Sequence, residues 1–253
     1  MKALLHAELL KLRSTRMTAG LLLATLGLVA LTVAVSVPDV GAANGPFSLG
    51  DPDLLADTVA TSFGVPQLLM VLFGTLAVTQ EFRYDTITST YLGEPRRTRV
   101  LVAKWMSLTL TSVVVTTATL ALSVAFGIVL IRSRDGDVTA AGRFCGVVAS
   151  GFAVMAAYGV IGVAIGALVR NQIAAVVGVL VWMTAVEYTV LPAFPAVGRW
   201  IPLGATSALF QLGPSMGLDG KLLPATVAGL VLVGYTAAAV VLALLVTPKR
   251  DVL

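Results

Sequence analysis

The amino-acid sequence predicts an all-α membrane protein that crosses the bilayer six times, and three observations predict it. Of the 253 residues, 57% are hydrophobic and 12% charged, with mean hydropathy +0.94, whereas soluble domains run at roughly 45–50% apolar and about 25% charged. Six stretches approach the ~20 apolar residues that a helix needs to cross a bilayer. In the resulting arrangement the basic residues gather on one side, as the retention of Lys and Arg in the cytoplasm requires.

The first span is expected at Met17–Val37, with no charged residue, ending at Pro38 and Asp39. Its apolar core exceeds the 7–15 residues of a signal-peptide core, so it reads as a retained helix. Spans two to four follow at about Val59–Thr79, Trp105–Ile131 and Phe144–Val169, all free of acids and bases. The fifth, Ile173 to about Leu191, contains Glu187, and the sixth, Pro224–Thr247, is uncharged. These spans use up the chain, which leaves no room for an attached soluble domain.

Counting bases gives orientation. Lys2, Lys11, Arg13, Arg16, Arg83, Arg96, Arg97, Arg99, Lys104, Arg170, Lys249 and Arg250 fall on one side, twelve of the 17, and Arg132, Arg134, Arg143, Arg199 and Lys221 on the other. The loop Pro38–Thr58 carries Asp39, Asp51, Asp53 and Asp57 and no base, which places both termini inside. Arg132, Arg134 and Arg143 between spans three and four run against this pattern, and Asp135 and Asp137 balance them only in part.

The composition also excludes chemistry. One cysteine, Cys145, and one histidine, His6, supply neither a disulfide nor a Cys/His-rich metal site. The pI near 9.5 reflects membrane orientation rather than nucleic-acid binding, because there is no basic soluble domain. A phosphate-binding G-x-x-x-x-G-K-[ST] loop is missing, since the one Gly-Lys pair, Gly220-Lys221, is followed by Leu222.

Residues 80–99, between spans two and three, read as two short helices. Tyr84, Ile87 and Tyr91 stand at i, i+3 and i+7, so a helix here presents one aliphatic and aromatic stripe. Gly93 is a natural terminator, and Pro95 suits the first turn of a following helix whose Arg96, Arg97 and Arg99 anchor span three. On residues alone this is an interfacial helix among headgroups or a docking element. Residues 1–16 set Leu5, Leu9 and Leu12 on one face and Leu10 opposite, as in a helix lying in the membrane interface, or serve as a basic orientation signal.

Pro192–Leu223 is neither a span nor a polar loop, with Pro192, Pro195, Pro202 and Pro214 interrupting apolar runs. Helices that dip back into the outer leaflet, or an interfacial loop anchored by Trp200, would account for it. Glu187 is the one acid within a span and so a functional candidate, although Tyr188 beside it is compatible with an outer interface where the carboxylate meets water. In span three, Thr109, Ser112 and Thr116 could line a path, or bond their own helix carbonyls. Gly142, Gly146, Ser150, Gly159 and Gly162-Val163-Ala164-Ile165-Gly166 let span four pack closely, within the subunit or across a dimer.

Glu81-Phe82-Arg83, Thr86, Pro95, Arg97 and Lys104, set between two spans, resemble the ABC-2 type permease subunits of ATP-binding cassette transporters, and the resemblance extends over residues 1–253 as a single transmembrane domain. It implies an N-terminal interfacial helix, six spans, a coupling helix after span two and a re-entrant segment before span six. Residues 81–92 are then the ATPase-coupling segment: Glu81, Phe82, Arg83, Tyr84, Asp85, Thr86, Ile87 and Tyr91, continued by Pro95, Arg96 and Arg97. The family commonly has glycine where this chain has Asp85.

By the same resemblance the chain binds no cofactor. ATP and magnesium belong to two separate cytoplasmic ATPase subunits, and a second permease copy or paralogue completes a dimer in the inner membrane. Nearly uncharged spans point to lipophilic or amphipathic cargo, drug or lipid, moved outward. The rival readings are an ion-coupled secondary transporter, which would call for paired intramembrane carboxylates, and a membrane scaffold or sensor that transports nothing.

Overall fold

A computed structural model describes residues 1–36, 51–136, 138, 142–213, 216, 218 and 220–247, with Met17 described in its backbone alone. Pro38, Asp39 and the rest of the loop after span one to residue 50, together with Asp137, Pro214, Lys249 and Arg250, lie outside the described residues. Among the described residues every regular element is helical: α1 (Lys2–Ser14), α2 (Arg16–Ser36), α3 (Leu54–Thr61), α4 (Gly64–Arg83), α5 (Thr86–Gly93), α6 (Arg97–Arg132), α7 (Arg143–Val169), α8 (Gln172–Leu180), a π-helical turn (Val181–Val186), α9 (Glu187–Ala193), α10 (Pro195–Gly198), α11 (Pro202–Leu209) and α12 (Ala225–Val246).

Six of the helical stretches are long and apolar enough to cross a membrane: Thr18–Val35, Leu54–Arg83, Arg97–Arg132, Arg143–Val169, Gln172–Ala193 and Ala225–Val246. The number and order match the sequence expectation, but two spans are longer than expected. Span two starts at Leu54 and runs through α3 and α4 to Arg83; span three starts at Arg97 rather than Trp105. Charged residues cut short the apolar windows in the sequence, while the helices continue because their backbone hydrogen bonds must be satisfied wherever they meet apolar surroundings.

Helix α4 packs along α7, and α7 in turn touches α6 and α12. Lipid offers no hydrophobic drive for this association, so close backbone approach supplies it. A methyl group on Gly74 would sit 2.5 Å from the Gly159 carbonyl oxygen, and one on Gly162 would collide with that of Val71. Thr75 Oγ1 also donates to Gly162 O at 3.2 Å. The small residues from Gly159 to Gly166 therefore pack within the subunit, whereas Gly142 and Gly146 have open space around them.

At the end of the bundle bearing Leu54, Phe63 stacks on Phe210 with centroids 5.1 Å apart. Asp57 belongs to α3 there and is buried, not part of a polar loop. It pairs with Arg143 Nη1 at 2.6 Å, and Arg143 Nη2 donates to the carbonyls of Phe210 and Gln211. One of the three basic residues that ran against the charge pattern is thus neutralised internally. The chain from Pro192 to Leu209 forms α9, with Pro192 inside it, α10 and α11; residues Leu203–Ala208 are all buried, and α11 packs on α12.

Candidate functional site

At the opposite end of the bundle, four charges meet. Lys104, on the first turns of α6, is only 1% exposed, and its Nζ donates to Glu8 Oε2 at 2.8 Å and Glu81 Oε1 at 2.7 Å. Lys11 Nζ donates to Glu8 Oε1 at 2.9 Å and to the same Glu81 oxygen at 2.8 Å. Two ammonium groups and two carboxylates alternate and cancel, which is the condition for holding charge away from water. The node ties α1, α4 and α6 together, and Lys11 reaches Thr90 on α5 at 3.4 Å.

Helix α1 is turned to serve this node. Leu4, Leu5, Leu9 and Leu12 are half-buried on the face that carries buried Glu8, and Leu10 is exposed. Burial pushes the Glu8 carboxyl up, but the charge and hydrogen bond of Lys104, with those of Lys11, outweigh it and hold Glu8 below its usual value of 4.5. Burial pushes Lys11 down, and Glu81 and Glu8 more than offset that, holding it above its usual 10.5. Sequence reasoning counted Lys104 among the bases of one side and the residues that carry the family resemblance; the contact with Glu8, 96 positions away, leaves no signal in a local window.

Glu81, Phe82 and Arg83 form the last turn of α4 rather than the first of a separate helix. The chain then turns through Tyr84 and Asp85, and α5 is the single short helix between the spans. The expected second helix is the start of α6, and Pro95 precedes it instead of lying in its first turn. The stripe is correspondingly split: Ile87 is buried and Tyr91 half-buried, while Tyr84, outside the helix, is exposed.

Asp85 has φ 53°, the left-handed conformation that glycine adopts without strain and that Asp tolerates better than most residues. The chain therefore makes with Asp85 the turn for which a glycine is suited. Its consequence is a sharp division of the segment. Glu81 and Ile87 point inward, and Arg83, Tyr84, Asp85, Thr86, Thr88 and Ser89 form a contiguous exposed surface with Leu92 beyond it.

The loop between spans four and five braces this surface. Arg83 Nη1 donates to Gln172 Oε1 at 3.2 Å, the Arg170 guanidinium lies 5.2 Å from the centre of the Phe82 ring, and Arg97 covers Tyr91 at the same distance. Burial raises the Tyr91 hydroxyl above its ordinary value against the opposing charge of Arg97. Arg96, the N-cap position of α6, is exposed.

The second group of interest lies in span five. Glu187 is 1% exposed, on a helix against which α11 packs. Its Oε1 accepts from Trp182 Nε1 at 2.7 Å, and its Oε2 is buried with no hydrogen-bond partner among the described residues. Tyr188 alone of the pair is exposed. In span three Thr109, Thr111, Ser112 and Thr117 bond carbonyls of their own helix, and Ser112 and Thr116 are buried against the bundle. The structure does not bring Thr109, Ser112 and Thr116 together with Glu187.

Six apolar crossing helices, close glycine contacts between them, and a charged node that fastens a terminal helix and an exposed inter-span loop define a multi-pass helical membrane protein. Residues 4–186 match the family model described as "ABC-2 family transporter protein". The match covers well over half of the chain, so the protein belongs to the ABC-2 transporter family, a membrane transport component of ATP-binding cassette systems that work with an ATPase. No curated protein matches the chain.

Proposed function

We propose that the chain is the permease subunit of an ATP-driven exporter in the cytoplasmic membrane, with both termini inside, and that it moves lipophilic or amphipathic molecules outward. The observation that carries this reading is the exposed Arg83–Thr86 surface, backed by a buried node instead of by lipid. Helix α5 and the adjoining turn are the coupling element, and α1 lies along the inner membrane surface. Two ATPase subunits hydrolyse ATP, one against each copy of a permease dimer. The segment α10–α11 re-enters the outer leaflet and caps the pathway.

Coupling follows from the connections. An ATPase that pushes on Arg83, Tyr84 and Asp85 moves α4 through Glu81, and Glu81 shares both lysines with Glu8, so α1 and α6 move with it. A rigid node converts a local push into a tilt of three helices, the kind of two-state rearrangement that alternating access requires. An ion-coupled mechanism is less well supported, because Glu81 is already neutralised by lysines and Glu187 stands alone in its span.

The test is purification of the full chain from its native membrane in mild detergent. A separate polypeptide with a nucleotide-binding loop is expected to copurify, and Arg83→Glu or Asp85→Lys to reduce its recovery at least several-fold while the permease itself stays folded. Recovery of no ATPase, or recovery insensitive to both charge reversals, would count against the assignment.

A further inference from the structure

Glu187 stands on the wall of a second feature, a cavity of about 420 Å³ between α7, span five and α12. That volume lies in the range of sites for drug-sized ligands. Its walls are made of Ile161, Ile165, Met183, Ala239 and Leu242 with the rings of Tyr158, Trp182 and Tyr235, and among the described residues no Lys, Arg or His lines it. Among the described residues that line it, Glu187 alone has an acidic or basic side chain. A pocket of apolar and aromatic walls with one acid has a defined complement, a molecule apolar over most of its surface and bearing one positive charge.

The backbone is arranged to present that acid. Residues five apart do not share a face in an α-helix, yet Trp182 Nε1 bonds Glu187 Oε1 because the intervening turn, Val181–Val186, is π-helical. Such turns are rare and cluster at functional sites. Here the turn sets an indole and a carboxylate side by side on the cavity wall. The indole donates to one carboxylate oxygen and the other is buried with no hydrogen-bond partner, so the acid is positioned by a neutral donor and forms no ion pair among the described residues.

We propose that this cavity within a single subunit binds a lipophilic monocation, an amine or onium group seated against Glu187 with its apolar body between α7 and α12 and its charge over the rings of Trp182 and Tyr235. That the bound molecule is exported cargo rests on the permease reading; that it binds does not. The cavity touches neither α5 nor the charged node, so its occupancy can be measured without the ATPase.

The experiment uses the purified full chain in nanodiscs and two probes of equal shape and opposite charge, tetraphenylphosphonium and tetraphenylborate, read as saturable binding displaced by excess unlabelled probe. Saturable tetraphenylphosphonium binding is expected, with no saturable tetraphenylborate component. Glu187→Gln should weaken it about tenfold or more, as loss of one close opposite charge outside bulk water implies. Ala239→Phe, which fills the cavity from α12 and leaves the acid in place, should abolish it. Binding that survives both substitutions, or that is equal for the two probes, would overturn the site and leave an acyl chain of the surrounding lipid as its occupant. Loss of tetraphenylphosphonium binding in both variants with no copurifying ATPase would keep the site and defeat the permease reading. Absence of binding alongside a copurifying ATPase would do the reverse.

Discussion

Glu8 and Glu81 on one side, and Glu187 on the other, are all buried carboxylates, and their surroundings differ completely. The first two share two ammonium groups at 2.7–2.9 Å. Glu187 has a neutral indole on one oxygen and, among the described residues, no partner on the other. A carboxylate whose countercharge comes from other helices of its own chain holds those helices together, and its chemistry is used up in doing so. One held only by a neutral donor keeps its charge available to something else. The contrast assigns the node to mechanics and the span-five acid to recognition, although sequence inspection singles out Glu187 and treats Glu81 and Lys104 as loop residues.

Lys104→Met gives the largest expected effect, because it leaves Glu8 and Glu81 facing each other with only Lys11, which is half exposed. Breaking a buried ion pair by removing one partner costs about 3–5 kcal/mol. The loss should appear as a marked fall in the detergent unfolding midpoint. Glu187→Gln is the matched control. It keeps an acceptor for Trp182 and removes no ion pair, so its stability cost should stay within the ~0.5–1.5 kcal/mol of a single hydrogen bond. Equal destabilisation by the two substitutions would erase the distinction between the sites.

A smaller effect separates the two regions by pH. Glu8 is held below its usual 4.5, so the stability it contributes is fully present above that value and is lost as pH falls through its lowered folded value. Lys11 is held above its usual 10.5, so its contribution is complete below 10.5 and is lost as pH rises through the raised value. The contributions of Glu8 and Lys11 are therefore indifferent to pH between about 5 and 10. The difference in unfolding midpoint between wild type and Glu8→Gln should be flat in that window and shrink as the pH falls below it. A difference between the two proteins that itself moves between about pH 5 and 10 would place the governing titration elsewhere.

The spans were legible because bilayer crossing is a local property, some twenty apolar residues in a row. Their ends were not. Glu81 and Lys104 broke the hydropathy windows, and only the fold reveals that each cancels the other. The tight face of α7 was legible from Gly159, Gly162 and Gly166, but whether it packed within the subunit depended on Gly74 and Val71 in another helix. Glu187 stood out as a lone acid, yet its helix is packed by α11, some fifteen residues further on, whose packing has no local pattern. In each case the sequence shows what a residue wants, and distant chain decides how it is satisfied.

Asp85 offers the smallest and most local measurement. Its left-handed φ of 53° suits glycine, is tolerated by Asp, and strains a β-branched residue. Asp85→Gly should leave folding nearly unchanged, within about 0.5 kcal/mol, because relief of the turn and the added freedom of the unfolded chain oppose each other. Asp85→Val should cost about 1–2 kcal/mol and shift Arg83 and Tyr84 relative to α5. The pair also separates shape from charge at the proposed docking surface. If Asp85→Gly keeps ATPase recovery while Asp85→Val loses it, the surface is recognised by its backbone turn, and the carboxylate serves chiefly to permit that turn; if Asp85→Gly loses recovery with folding intact, the carboxylate itself makes the contact.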